Sequence, residues 1–158
     1  MKSNHFDGAG NAIMVDVSEK ASTKRVAIAE GHITMNAQAF EAVQAGTAKK
    51  GDVLGTARIA GIMGSKRCSD LIPLCHPLPT EQVSIDFTLL EKERSVTARC
   101  TVTTTGKTGV EMEALCGANI ALLTIYDMCK ALDRSLEIGG ISLLEKQGGK
   151  SGHYKKEP

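Results

Sequence analysis

The stretch TGKTGVEMEALCGANIALLTIYDMCKALDR, Thr105 to Arg134, decides how this chain folds. It opens on a loop, Gly106-Lys107-Thr108-Gly109, and runs without proline through Met112, Leu115, Ile120, Leu122, Leu123 and Ile125 to Leu132. Thr108 followed three residues later by Glu111 has the spacing of a capping box, which predicts a helix from near Gly109. Apolar side chains cover most of its circumference, so a sheet must bury one side and a second body, such as another subunit, the other. Polar residues sit at both ends: Glu111 and Glu113 at the start, Asp127 and Lys130 near the end. Asp127 and Lys130 are three apart and therefore neighbours on one face. Glu113 and Asp127 are fourteen residues apart, about 21 Å along a helix. One small ligand does not bridge both ends of one copy. Either there are two sites, or copies bring opposite ends together.

Two runs of period-two alternation precede this helix. Val83, Ile85, Phe87 and Leu89 form the first, Val96, Ala98, Cys100 and Val102 the second, with a charged turn at Glu91 to Arg94 between them. They predict an antiparallel hairpin with one buried face. Pro73, Pro77 and Pro79 make the segment before it an irregular connection. Further back, Asp52 is the N-cap of a helix carrying Val53, Leu54, Ala57, Ile59, Ala60 and Ile62. Gly55, Gly61 and Gly64 on that helix each cost roughly 1 kcal/mol relative to alanine, which points to close backbone packing. Asn36 caps a shorter helix through Phe40 and Val43, ending at Gly46. Val26, Ile28, Ile33 and Met35 predict a strand that Gly31 interrupts.

After the long helix comes a last strand. Its apolar parity flips at Gly139-Gly140, as a β-bulge makes it. The tail from Lys146 to Gly152 reads as flexible and basic, and residues 1–13 as a flexible N-terminal segment. Residues 14–158 form one domain in the order β, α, α, β, β, α, β: an α+β fold with a mainly antiparallel sheet and helices on one face.

Lys and Arg number 19 against 18 Asp and Glu, so a general nucleic-acid binder or polybasic membrane protein is disfavoured. Aromatics at 3% leave no base-stacking platform. Five cysteines, with no Cys-x-x-Cys pair, read as reduced thiols of a cytoplasmic protein. No signal-peptide core is present, and no apolar run reads as long enough to span a bilayer.

Cys75-His76 lies within the proline frame. Adjacent ligands chelate one metal poorly and no second pair has zinc spacing, so no metal site is expected. His76 is either a loop histidine bonded to a carbonyl or an oriented functional group. Glu113, with no capping role, is a ligand candidate or a solvated first-turn carboxylate. Asp127 and Lys130 are a surface ion pair or a partly buried pair suited to proton transfer. Lys50, Lys146 and Lys150 lie beside glycines, where backbone N–H groups approach phosphates. Lys107 precedes a helix N-terminus, where an anion is favoured. Gly148-Gly149-Lys150-Ser151-Gly152 is not a Walker A motif.

Several segments resemble one family: Met14-Val-Asp-Val-Ser-Glu-Lys20, Lys50-Gly-Asp-Val53, Ala57-Arg-Ile-Ala-Gly61, Asp70-Leu-Ile-Pro-Leu-Cys-His-Pro-Leu78, Thr105 to Leu115, Leu123 to Ala131 and Gly148 to Gly152. The chain resembles the cyclic pyranopterin monophosphate synthase family (molybdenum cofactor biosynthesis protein C) from residue 14 onward. Gln147 departs from the small, serine-like residue expected there. The resemblance implies a ferredoxin-like fold and a hexamer, a trimer of dimers with sites at the dimer interface. It implies a lyase-type enzyme that follows a radical S-adenosylmethionine GTP cyclase. The cyclic dihydro-GTP would be rearranged to cyclic pyranopterin monophosphate with loss of pyrophosphate.

By motif position, Asp127 and Lys130 would carry the acid–base work, with Lys50 a further cation from the neighbouring subunit. Leu74, Cys75, His76, Met112 and Glu113 would line the base and sugar pocket. Glu111, also a substrate contact on this reading, would join them. Arg25, Lys146 and Lys150 would meet the triphosphate. No resident cofactor is implied; Mg²⁺ would come with the triphosphate. The rival reading is a non-catalytic oligomer that binds a nucleotide or phosphometabolite unchanged.

Overall fold

The computed structural model describes residues 6–150 and 152–157. Five strands form one antiparallel sheet in the order β2-β3-β1-β4-β5. They are β1 (Thr23–Thr34), β2 (Gln82–Leu90), β3 (Ser95–Gly106), β4 (Glu137–Gln147) and β5 (Tyr154–Lys155). The helices are α1 (Ala37–Gln44), α2 (Val53–Lys66), α3 (Cys68–Leu71) and α4 (Glu111–Cys129). This is the α+β architecture read from the sequence, with α2 and α4 packed against one face.

The predicted hairpin is present, pairing Val83 with Val102 and Leu89 with Val96. Ala98, Cys100 and Val102 of β3 are fully buried, as are Ala27, Ala29 and Ile33 of β1. Gly31 does not break β1. A Cβ there would lie 2.6 Å from Ile141 Cγ1 and 2.9 Å from Leu122 Cδ1, so the missing side chain lets α4 settle on the sheet. The bulge expected at Gly139-Gly140 is present as a register shift between Glu30 and His32 of β1, and Gly140 has φ +63°. A second shift, between Ile28 and Ala29, was not foreseen.

Both predicted caps on the earlier helices form. Asn36 Oδ1 accepts from Ala39 N at 2.8 Å, and Asp52 Oδ1 from Gly55 N at 2.8 Å. The capping box on α4 does not. The helix begins at Glu111, its N-cap is Val110 and no side chain caps it. Glu111 is drawn away by Lys146, whose ammonium lies 2.9 Å from its carboxylate. Nor is Lys146 part of a loose tail: β4 runs through it, and β5 pairs Tyr154 with it.

α4 corrects one further expectation. By length and composition it could cross a membrane. Here it is a core helix, with Ala114, Ala118, Ala121, Leu122 and Ile125 fully buried. Residues 6–12 form a turn closed by Asp7, which accepts from Ala9 N and Asn11 N. Residues 1–5 of the predicted N-terminal segment lie outside the described residues.

Candidate functional site

α2 and α4 run antiparallel, with Lys50 near Asp127 at one end of the pair and Cys68 near Cys116 at the other. Chemistry-bearing side chains gather at both ends.

At the N-terminus of α4 there is a cavity of about 860 Å³. Its lining includes Lys20, Arg25, Lys107, Lys146 and Lys150, five cations against two carboxylates, Glu19 and Glu111. The uncapped first turn of α4 adds backbone N–H groups and the positive end of its dipole. Arg25 is almost fully buried, and its guanidinium donates to the carbonyls of Gly106 (3.3 Å) and Lys107 (3.4 Å). Lys107 donates to the Ser18 carbonyl at 2.6 Å, which ties the N-terminal segment to the rim. The far rim needs glycine twice. Gly148 and Gly149 have φ of +101° and +74°, and a Cβ on either would collide with the Lys24 carbonyl or the Arg25 guanidinium.

At the other end of α4, Asp127 is clasped by two lysines. Lys130 Nζ lies 2.7 Å from Oδ1 and Lys50 Nζ 2.9 Å from Oδ2. Lys50 also donates to the Asp127 carbonyl at 2.9 Å. Lys50 is placed by the tight turn at Gly51 (φ +89°), just before the α2 cap. It reaches the aspartate of its own chain. The trio is more than half exposed at Asp127 and Lys130, not partly buried as one reading of the spacing had it. Hydrogen bonds from Lys130, then Lys50, hold Asp127 at a pKa of about 2, and Asp127 in turn raises Lys130 above the ordinary lysine range. Ile120, Leu123, Thr124 and Tyr126 complete a shallow depression around Asp127 and Lys130.

A third cluster lies near the start of α4. Cys68, Cys75 and Glu113 bring their ligand atoms within 4.8 Å of one another. Cys116 Sγ is 3.4 Å from Cys68 Sγ. Glu113 and Cys68 are buried, and burial pushes the Glu113 carboxyl and the Cys68 and Cys75 thiols above their ordinary pKa values. His76 is not one of these ligand atoms: its Nε2 donates to the Val15 carbonyl at 2.7 Å, the carbonyl contact that was one of its two readings. Leu74 and Met112 are half-buried and line neither of the cavities described.

The predicted residues thus fall into three groups: Arg25, Glu111, Lys146 and Lys150 at the cavity; Lys50, Asp127 and Lys130 at the far end; Cys75 and Glu113 among the thiols. Glu111 and Asp127 are sixteen residues apart along α4, about 24 Å. Sequence reasoning did not single out Lys20, Cys68 or Cys116. Cys116 lies three residues after Glu113, a spacing that places both on one helix face; that signal was available. Nothing local marks Lys20, which joins the cavity through the path of the segment before β1.

Residues 14–149 match the MoaC family. The chain is 58% identical over 156 residues to the cyclic pyranopterin monophosphate synthase of Clostridium botulinum (strain Alaska E43 / Type E3), covering 99% of this chain and 98% of that protein. It is 56% identical over 151 residues to the protein of the same name from Jannaschia sp. (strain CCS1), covering 96% of this chain and 93% of that one.

Proposed function

The chain belongs to the MoaC family, and from that premise we propose that it is an enzyme of molybdenum cofactor biosynthesis making cyclic pyranopterin monophosphate. Its substrate is the 3′,8-cyclo-7,8-dihydro-GTP left by a radical S-adenosylmethionine GTP cyclase, and pyrophosphate is released. The observation that carries the reading is the five-cation cavity at the uncapped end of α4. A triphosphate needs such a place, and a leaving pyrophosphate needs cations around its growing charge.

Each residue group has a task in this reading. Lys146, Lys150 and Arg25 hold the triphosphate, with Lys20 and Lys107 beside them. Lys146 exchanges Glu111 for phosphate as the substrate arrives, and Glu111 turns to the substrate. Leu74, Cys75, His76, Met112 and Glu113 face the base and sugar. Asp127, Lys130 and Lys50 handle protons during ring opening and reclosure. Mg²⁺ enters as the triphosphate's counter-ion and not as a resident cofactor.

The roughly 24 Å between Glu111 and Asp127 leaves no single-chain pocket for one nucleotide. The working site is therefore shared between subunits, in a trimer of dimers. Exposed Ile59, Met63 and Leu123 on α2 and α4 supply apolar surface for such an association. The strand order β4-β1-β3-β2 within the sheet supports a ferredoxin-like reading, and five free thiols support a reducing compartment such as the cytoplasm.

Incubation with the purified cyclic dihydro-GTP and a pyrophosphate assay tests the reaction. Lys146→Ala should lower kcat/KM by about 10–100-fold, the scale of a lost charge-assisted contact. Binding of the nucleotide without pyrophosphate release would favour the non-catalytic reading instead.

A further inference from the structure

The cluster near the start of α4 is built from two segments. α3 and the proline loop supply Cys68 and Cys75, and one face of α4 supplies Glu113 and Cys116. Cys68 Sγ lies 3.9 Å from Cys75 Sγ and 3.4 Å from Cys116 Sγ. Sulfurs on adjacent corners of a zinc tetrahedron, each about 2.3 Å from the metal, stand about 3.8 Å apart. Glu113 is 4% exposed, and among the described residues it belongs to no ion pair. Its carboxylate, near its own backbone N–H, the thiols and the like charge of Glu111, has no cation within reach among the described residues to offset its burial.

We propose that Cys68, Cys75 and Glu113, whose ligand atoms already lie within 4.8 Å of one another, bind a divalent cation of the zinc class, with Cys116, beside Cys68, swinging in as the fourth ligand. Thiolate sulfur with one carboxylate oxygen suits Zn²⁺ or Co²⁺ and not Mg²⁺ or Ca²⁺, which take oxygen ligands. The ion displaces the thiol protons, which leave to solvent, so binding tightens as pH rises. Where the reading of the base and sugar pocket given above holds, the ion also occupies Cys75 and Glu113, and Zn²⁺ competes with substrate.

The test uses the full-length, reduced, chelator-stripped protein and Co²⁺ or Zn²⁺ alone. Co²⁺ should give thiolate-to-metal charge-transfer absorption saturating at one ion per chain, and Zn²⁺ should bleach it. Cys68→Ala and Cys116→Ser, two independent variants, should each weaken Zn²⁺ binding roughly 100-fold or more, as loss of one ligand in four requires. Both should keep metal-free activity and resist Zn²⁺ inhibition. No charge-transfer band, or unchanged affinity in whichever of the two variants folds, would overturn the site. Binding without inhibition would uphold the site and remove Cys75 and Glu113 from the substrate pocket.

Discussion

With an ammonium on each of its oxygens, Asp127 keeps its charge to a pKa of about 2. A carboxylate held so low is a weak base, and Lys130, raised in turn, releases its proton reluctantly. In the free chain the trio fixes charge more than it moves protons. Removing water would change that, because desolvation raises an aspartate and lowers a lysine. The exposed position of the trio gives an approaching protein surface that opportunity. The depressed pKa also has a stability consequence. The stabilising contribution of Asp127 is present above its unfolded value of 3.8 and is lost as pH falls through about 2. The thermal midpoint of Asp127→Asn should therefore lie below wild type at neutral pH, with the gap closing as pH approaches 2. Unfolding scans from pH 7 downward measure this; a gap that widened on acidification would contradict the assignment.

Among the elements, α2 and α4 depend on their small residues. A Cβ on Gly61 would lie 2.9 Å from the Gly117 carbonyl oxygen, and one on Gly117 would lie 2.5 Å from Cys100 Sγ. The Gly117 backbone and the Ile85 side chain both close on Gly61, and the backbone cannot swing aside, so Gly61→Ala must push the helices apart. The expected loss is about 1–3 kcal/mol, or roughly 3–10 °C in the thermal midpoint. An unchanged midpoint would show that the contact is looser than described. The sequence made this packing visible because glycine in a helix is unfavourable unless something approaches closely. Gly61 and Gly64 bear that out, whereas Gly55 serves the Asp52 cap. The hairpin and the bulge at Gly140 were readable for a similar reason: alternation records which face is buried. Three features were not readable, because each is settled by a distant partner. Glu111 had a local claim from Thr108 and a distant one from Lys146, and the ion pair won. Lys146 looked like tail until β5 folded back beside it. The thiols assemble from separate segments with no spacing rule between them.

At the scale of the molecule, α4 acts as a spacer. It holds a cation-rich cavity at one end and the Asp127 trio at the other. Either end alone is an ordinary charged surface. In the proposed shared site, symmetric association would place the first end of one copy against the second end of another, and the apolar residues left exposed on α2 and α4 would give that association a surface to bury. The residue types at both ends could be read from the sequence, and so could their separation. In the shared-site reading, a second copy closes that distance, and no single chain displays it.

Subunit mixing tests that claim most directly. Asp127→Asn and Lys146→Ala, each with little activity alone, are unfolded together, refolded as a mixture and assayed for pyrophosphate release. If each site takes one end from each of two chains, half the dimers are mixed and each carries one intact site, so about a quarter of wild-type activity returns. Activity that stays at the level of the separate variants, although mixed oligomers form, would contradict the shared site.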